Sequence, residues 1–398
     1  MLRYLEAKTP VHYQSLPKYA DYFQQLPGAM QGYRALDPLP VDGTILGDEL
    51  VRLRVPSPGT LVGGRVAVMS KEAHTLLSKA PGYIGLALKQ FGRYWFDLRS
   101  RSRSRRDRRL TLGNALVGGL RRALPDRNVP LWLNAPMREL LEDEGRVSGV
   151  TVERDGQRVR VLARRDVIFA AGGFERNLPG CVIVNGHGKR FVNEAAPYSE
   201  FVPAWMIFDA RFRQHYPCGP IMPAAMMPDA FRSLLYKADM LDALAAQIGV
   251  NAQGLSATVT KMNRYAATGV DEDFGKGGSL FDTYYGDSSV EPNPCLAPLE
   301  KGPFYAVRID AGDIGTKGGL VTDASARVLR GNGTQIAGLY AIGNTGASMM
   351  GKSYPGASST LGLAMTFGYI AANHLADGGN PAASSLSAST SELRGVTP

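Results

Sequence analysis

The sequence predicts a mixed α/β protein, and three observations carry the prediction. Segments of helical periodicity, such as LGNALVGGLRRA at 112–123, alternate with strand-like runs, such as RVSGVTVERDG and VIFAAGG. Of 398 residues, 44% are apolar and 20% charged, the proportions of a globular chain. The 46 glycines and 25 prolines supply more turns than a helical bundle needs. A chain of this length has room for two domains and a substantial core.

In chain order, MLRYLEAKTPVHYQSLPKYADYFQQLPG predicts a short helix and then an irregular aromatic segment, which its prolines and glycine break up. Helical periodicity covers 112–123, and LPDRNVPLWLN predicts a turn and an apolar strand at 131–133. RVSGVTVERDG and QRVRVLARRD predict an antiparallel hairpin closed at Asp155 and Gly156. The run 167–173, VIFAAGG, predicts a strand buried on both faces and ending in glycines. From about 178 to 315 the character changes. Proline-rich connections, helices at 240–248 and 255–267 and a polar loop at 269–298 predict a separate or inserted domain. Beyond it, GGLVTDASARVL predicts strand–turn–strand and GLYAIGN, 338–344, a short strand ending in Gly-Asn. The last elements are a weakly charged helix, reached through the polar SYPGASST, and a small, polar tail at 379–398 expected to be disordered.

The net charge is +9, and much of the excess lies in 93–110, where eight arginines face two aspartates. That run is expected to be a solvated loop or helix face. No nucleic-acid-binding signature accompanies it, so no nucleic-acid partner is expected. Cys181, Cys218 and Cys295 are odd in number and share no metal or redox spacing, which predicts a reducing compartment and neither disulfides nor a metal site. The five scattered histidines are expected to be structural or surface residues. The N-terminal residues lack a secretory apolar core, and 360–372 is too short and glycine-rich to span a bilayer. The expected location is cytoplasmic, with peripheral attachment to the inner membrane left open.

Three places offer chemistry. Ser358, Ser359 and Thr360 are all helix-capping types, and a helix start presents amide donors and a partial positive charge that favour an anionic group by about 0.3–2 kcal/mol. FAAGGF and YAIGNTGASMMG each end a predicted strand in residues without bulk, the way α/β sheets open a cofactor crevice at strand C-termini. Ordinary turns and caps would also produce each feature singly.

Taken together, VIFAAGGFERN, LPGCVIVNGHGKRFVNEAAPY, RYAATGVDEDFGKG, PLEKGPFYAVR, GTKGGLVTDASARVL, GLYAIGNTGASMMGKSYPG and AMTFGYIAA resemble the flavin-dependent 3-oxosteroid 1-dehydrogenases, within the wider fumarate reductase flavoprotein superfamily. The resemblance runs, with interruptions, from about Arg3 to Ala376. It implies a Rossmann-like FAD-binding domain of the glutathione-reductase type, built from 1–177 and 317–378, with an inserted α+β substrate domain at 178–316. It further implies that Ala171, Gly172, Gly173, Gly343 and Asn344 line FAD and that Ser359, Thr360 and Leu361 meet the flavin pyrimidine. The implied reaction removes two hydrogens from adjacent ring carbons of a 3-oxosteroid, with an artificial or quinone-like acceptor reoxidising the flavin. In that scheme the Tyr354 hydroxyl and the Ser358 N–H hold the ketone oxygen, and Tyr22, from YADY, serves proton abstraction.

The chain departs from the family in several places. No GxGxxG follows an N-terminal strand, FERN runs directly into LPGC, and the segment after Tyr198 is short, so a shortened homologue is expected. The second tyrosine of proton abstraction is expected to belong to that lost piece. Ser358 stands where the family has glycine, and Leu363 where it has proline. The alternatives left open are an impaired steroid- or partner-binding homologue without FAD, and another flavin-linked enzyme of the superfamily.

Overall fold

The computed structural model describes residues 1–171, 182–184, 204–217, 223, 233–309, 318–351 and 354–378. The first part holds the short helix α1 (Leu2–Lys8) and three small antiparallel pairs: β1 (Tyr13–Ser15) with β2 (Leu36–Pro38), β3 (Val41–Asp42) with β6 (Arg109–Leu110), and β4 (Leu61–Val62) with β5 (Val66–Ala67). Helices α2 (Ser70–Leu77), α3 (Tyr83–Phe96), α4 (Leu98–Arg101) and α5 (Leu112–Ala123) pack around them. Helix α5 coincides with the predicted 112–123 and buries Ala115, Leu116 and Ala123.

The arginine run is only in part the solvated face expected of it: Arg99, Arg103, Arg105 and Arg108 are exposed, while Arg93, Arg106 and Arg109 turn inward. Arg93 makes two hydrogen bonds to the buried Asp107, and Arg109 grips Glu72 with two more. Arg106 donates to the carbonyls of Leu50 and Leu53 and to Asn114 Oδ1. Burial alone would raise the Asp107 carboxyl, but Arg93 and the amides of Ala67 and Arg109 outweigh it and hold the group below its ordinary value. These guanidinium groups act as internal crosslinks, because each offers several donors in a rigid fork: Arg93 and Arg109 hold carboxylates, and Arg106 takes up the carbonyls of Leu50 and Leu53.

Strands β7 (Met137–Asp143), β8 (Arg146–Arg154) and β9 (Gln157–Leu162) form an antiparallel meander in that order. Its second turn is the predicted one. Asp155 and Gly156 both have positive φ, 52° and 77°, the two-residue turn whose twist matches the strands. The predicted strand at 131–133 is absent. Leu131, Trp132 and Leu133 are exposed and irregular, because Pro130 and Pro136 withhold donors and Asn134 turns the chain at φ 54°.

Strand β10 (Val167–Phe169) runs parallel to β16 (Gln335–Ala341), which pairs antiparallel with β15 (Arg327–Leu329). Val147, Val328, Leu339 and Ala341 form the core between this sheet and the meander. The prediction that β10 is buried on both faces does not hold. It pairs on one side only among the described residues, and Ile168 is exposed. The first arm of the predicted strand–turn–strand at 319–330 is reduced to single bridges at Leu320 and Thr322.

Residues 182–309 contribute a four-stranded antiparallel sheet in the order β11 (Val182–Val184), β12 (Ala204–Phe208), β14 (Phe304–Ile309), β13 (Leu235–Ala238). Helix α6 (Ala210–His215) follows β12, and α7 (Leu241–Ile248) and α8 (Ala252–Thr268) follow β13, each of the latter two ending at a left-handed glycine. Ile207, Leu244, Leu255, Tyr265 and Leu296 fill this unit's core. The predicted polar loop at 269–298 contains one further helix, α9 (Leu280–Tyr284), started by Ser279 accepting from the Asp282 amide. Lys79 pairs with the buried Asp287, which also accepts from the Tyr216 hydroxyl at 2.7 Å, so the loop is tied to the N-terminal part.

Helix α10 (Leu361–Ala376) closes the described fold. Only Ala371 and His374 of it are fully buried, and His374 meets the Tyr340 hydroxyl at 2.7 Å. No described helix is long and apolar enough to cross a membrane. Cys181, Cys218 and the tail at 379–398 lie outside the described residues, as do the expected domain boundaries.

Candidate active site

Three segments distant in sequence bring their aromatic rings together. The turn after β1 supplies Tyr19 and Tyr22, α9 supplies Phe281 and Tyr284, and the loop before α10 supplies Tyr354. The Tyr22 ring centroid lies 4.4 Å from that of Phe281 and 6.1 Å from that of Tyr354. Tyr19 packs edge-on against Tyr284 at 5.0 Å, and its hydroxyl is 3.2 Å from that of Tyr22. His74 stacks on Tyr284 at 4.1 Å. Aromatic pairs of this kind add about 0.5–1.5 kcal/mol each beyond their buried area, so the cluster helps to dock the three segments.

Burial dominates the titration of this cluster. It pushes the Tyr284 phenol up to about 12. It also raises Tyr19, against the opposing pull of the bond to Tyr22. The same burial lowers His74, which is therefore neutral at neutral pH.

The backbone at SYPGASST is shaped by two residues of positive φ, Gly356 at 139° and Ser358 at 73°. A Cβ on Gly356 would come 3.5 Å from the Tyr22 ring, so the turn and that phenol are in near contact. The Gly356 carbonyl accepts from both the amide of Ser359, at 3.2 Å, and its hydroxyl, at 2.5 Å. Ser359 is buried, and its side chain closes the turn instead of capping α10. Thr360 holds the cap position and makes no side-chain cap bond. The first turn of α10 therefore keeps amide donors that no capping side chain takes up, and Leu361 there is exposed.

The ends of β10 and β16 lie at the same edge, as parallel pairing requires. The Ile342 amide donates to the Phe169 carbonyl at 2.9 Å, and the Ala171 amide to Thr345 Oγ1 at 2.7 Å. Gly343, at φ 60°, rests on the first turn of α10, where a Cβ would stand 3.1 Å from the Ala364 methyl. Thus Ala171, Gly343 and Asn344 are brought beside the start of α10, and Tyr22 and Tyr354 beside the turn that leads into it. Gly172 and Gly173 lie outside the described residues. Small residues and open amides in this arrangement suit a flat ring that gains negative charge on reduction, as the isoalloxazine of FAD does.

Tyr19, Phe281 and Tyr284 were not singled out by the sequence. The YADY spacing held the only cue, since two phenols three residues apart on one turn can reach each other. Nothing local in α9 says that its rings travel to the N-terminal segment.

A family model for an FAD binding domain matches residues 13–179 and 176–361. A 3-oxosteroid 1-dehydrogenase of Comamonas testosteroni is 36% identical over 452 aligned positions, covering 91% of this chain and 78% of the relative. That alignment is longer than the 398-residue chain, so the relative carries segments absent here. A 4-oxocyclohexanecarboxylate 2-dehydrogenase of Sinomonas cyclohexanicum is 31% identical, covering 94% of this chain and 77% of its own. Among solved structures, the 3-ketosteroid delta1-dehydrogenase of Sterolibacterium denitrificans, in complex with 1,4-androstadiene-3,17-dione, superimposes with a TM-score of 0.90 at 42% identity over 95% of this chain and 83% of that one. With a family match across most of its length and a relative of this identity, the chain belongs to the FAD-binding flavoprotein family that includes the 3-oxosteroid 1-dehydrogenases.

Proposed function

We propose that this chain is an FAD-dependent oxidoreductase that introduces a 1,2 double bond into ring A of a 3-oxosteroid. The observation that carries the reading is the meeting of Tyr22, Tyr354 and the Gly356–Ser358 turn at the start of α10, in a chain that shares its fold with a 3-ketosteroid dehydrogenase solved with a dienone steroid. The reaction breaks one C–H bond at C2 and one at C1. The first hydrogen leaves as a proton and the second with both electrons. FAD, when bound, supplies the acceptor for that electron pair.

The chain's own residues handle the ketone and the proton. Loss of the C2 proton places negative charge on the C3 oxygen, so donors aimed there stabilise the transition state. The Tyr354 hydroxyl and the Ser358 amide are those donors, on one turn with Gly356 between them. Tyr22 takes the proton. The Tyr19 hydroxyl, which burial holds above its ordinary value, lies 3.2 Å from that of Tyr22, and once Tyr22 gives up a proton Tyr19 is the donor that would stabilise its phenolate. The phenyl rings of Phe281 and Tyr284 exclude water from the pair.

Ala171, Gly343, Asn344 and the Thr360–Leu361 amides would hold FAD, within a domain formed by 1–177 and 317–378, with 178–316 as the substrate domain. A quinone-like acceptor completes the cycle. The two stretches of the family match meet at 176–179, which supports an internal shortening where FERN runs into LPGC.

Anaerobic mixing of the FAD-loaded protein with a 3-oxosteroid tests the reading. The expected result is loss of the visible absorption of oxidised flavin with formation of the 1,4-dien-3-one. Unchanged absorption, or bleaching with the C1–C2 bond left saturated, contradicts it.

A further inference from the structure

A cavity of about 600 Å³ opens between the β4–β5 hairpin, the segment 104–107 and the first turn of α5, and it shares no residue with the aromatic cluster around Tyr22. One of its walls is made of donors. Thr111 is 6% exposed, holds the cap position of α5 and makes no side-chain cap bond, so its hydroxyl is buried without a partner among the described residues. Leu112 has φ 52° and is followed by helical residues. A left-handed residue beside right-handed ones turns successive amides towards one point, the geometry of an anion-binding nest. Of the amides of Leu112, Gly113 and Asn114, only the last has a backbone acceptor among the described residues, the Thr111 carbonyl at 3.1 Å. A Cβ on Gly113 would meet no atom within 4 Å, so a ligand can reach the backbone there.

The charge around these donors is positive and uncompensated. Arg106 is half-buried, yet its acceptors are all neutral: the carbonyls of Leu50, Leu53 and Arg54, and Asn114 Oδ1. Its Nε is buried with no partner. Burial without a carboxylate beside it pushes this guanidinium below its ordinary value. Arg65 and Arg105 also line the cavity, and both are exposed with no carboxylate partner among the described residues. Asp107, the acid of the lining, is taken by Arg93 and by the amides of Ala67 and Arg109, and Arg109 is taken by Glu72. A hydroxyl, open amides and guanidinium groups offered together, with the acid occupied, match the several acceptor oxygens and the negative charge of a phosphoryl group. Small-molecule sites span about 300–1,000 Å³, so the cavity has room for the body that carries such a group, and Val55 and Leu61 give it an apolar wall.

We propose that this cavity binds a phosphorylated small molecule, with phosphoryl oxygens on the Thr111 hydroxyl and the amides of Leu112 and Gly113, and with Arg65 and Arg105 compensating its charge from the rim. The proposal stands apart from the reading of the active site.

Calorimetric titration of the full chain with inorganic pyrophosphate tests it, in the presence of excess FAD so that the site for the flavin's own diphosphate is filled. The expected result is one pyrophosphate bound per chain, with a Kd that rises with salt. Thr111→Val is expected to weaken binding about tenfold through the lost hydroxyl, and Arg65→Ala with Arg105→Ala about tenfold with a shallower salt dependence. The exposed arginine pair keeps the test valid if the buried valine disturbs α5. No binding by the wild type overturns the proposal. Equal affinity in all three proteins also overturns it, because the anion then sits elsewhere. So does binding of a short-chain phosphatidylglycerol, below its micelle concentration, by a protein that ignores pyrophosphate, which would make the ligand a lipid headgroup.

Discussion

The Tyr19 and Tyr22 hydroxyls lie 3.2 Å apart, within one turn of chain, while the Tyr22 ring contacts both Phe281 and Tyr354. Tyr22 is therefore held between a phenol that can donate to it and the phenol assigned to the ketone. If Tyr19 supports ionisation of Tyr22, Tyr19→Phe lowers kcat at neutral pH about tenfold and moves the limb on which the base ionises up by about one pH unit, with little change in KM. A packing role alone would leave the position of that limb unchanged. The pH profile of kcat decides between them.

Ser358 has φ 73°, a backbone region that L-residues occupy at a cost of about 1–2 kcal/mol. Ser358→Gly removes that strain and clears a side chain that lies against Gly362 in the first turn of α10. The expected outcome is a gain of about 1 kcal/mol in urea unfolding together with a severalfold rise in kcat/KM. A less stable or less active glycine variant would contradict this account of the turn.

Asp287 ties the α9 loop to the N-terminal part of the chain. Burial would raise its carboxyl, but Lys79, Ser289 and Tyr216 outweigh burial and bring it from 3.8 to about 2. A carboxylate depressed by folding adds stability that is complete above the unfolded pKa and disappears as pH falls through the folded one. The contribution, about 2 kcal/mol, is thus expected to vanish between about pH 4 and pH 2. Urea titrations across that window should show a flatter acid limb for Asp287→Asn than for the wild type. Parallel limbs would place the acid sensitivity elsewhere.

Local pattern was enough to read several elements. Periodicity placed α5, α7 and α8, and the Asp-Gly pair placed the β8–β9 turn, because in these cases the sequence neighbours make the structure. Where partners come from afar, the pattern misled. The arginines of 93–110 look solvated in sequence, yet Arg93, Arg106 and Arg109 find their acceptors in Asp107, Leu50 and Glu72. Leu131 to Leu133 have the composition of a strand but no strand beside them. At the site, Tyr22 and Tyr354 were legible only through the resemblance. Phe281 and Tyr284 were not legible at all, since only the packing of α9 on the N-terminal turn brings them there.

The central claim is that Tyr354 donates to the ketone oxygen while FAD waits at the start of α10. Single-turnover reduction of the FAD-loaded protein by a 3-oxosteroid, with and without Tyr354→Phe, tests it most directly. The account predicts that both proteins carry flavin and that the variant reduces it about 100- to 1,000-fold more slowly, the loss of one oxyanion donor. Equal rates of flavin reduction in the two proteins would contradict it.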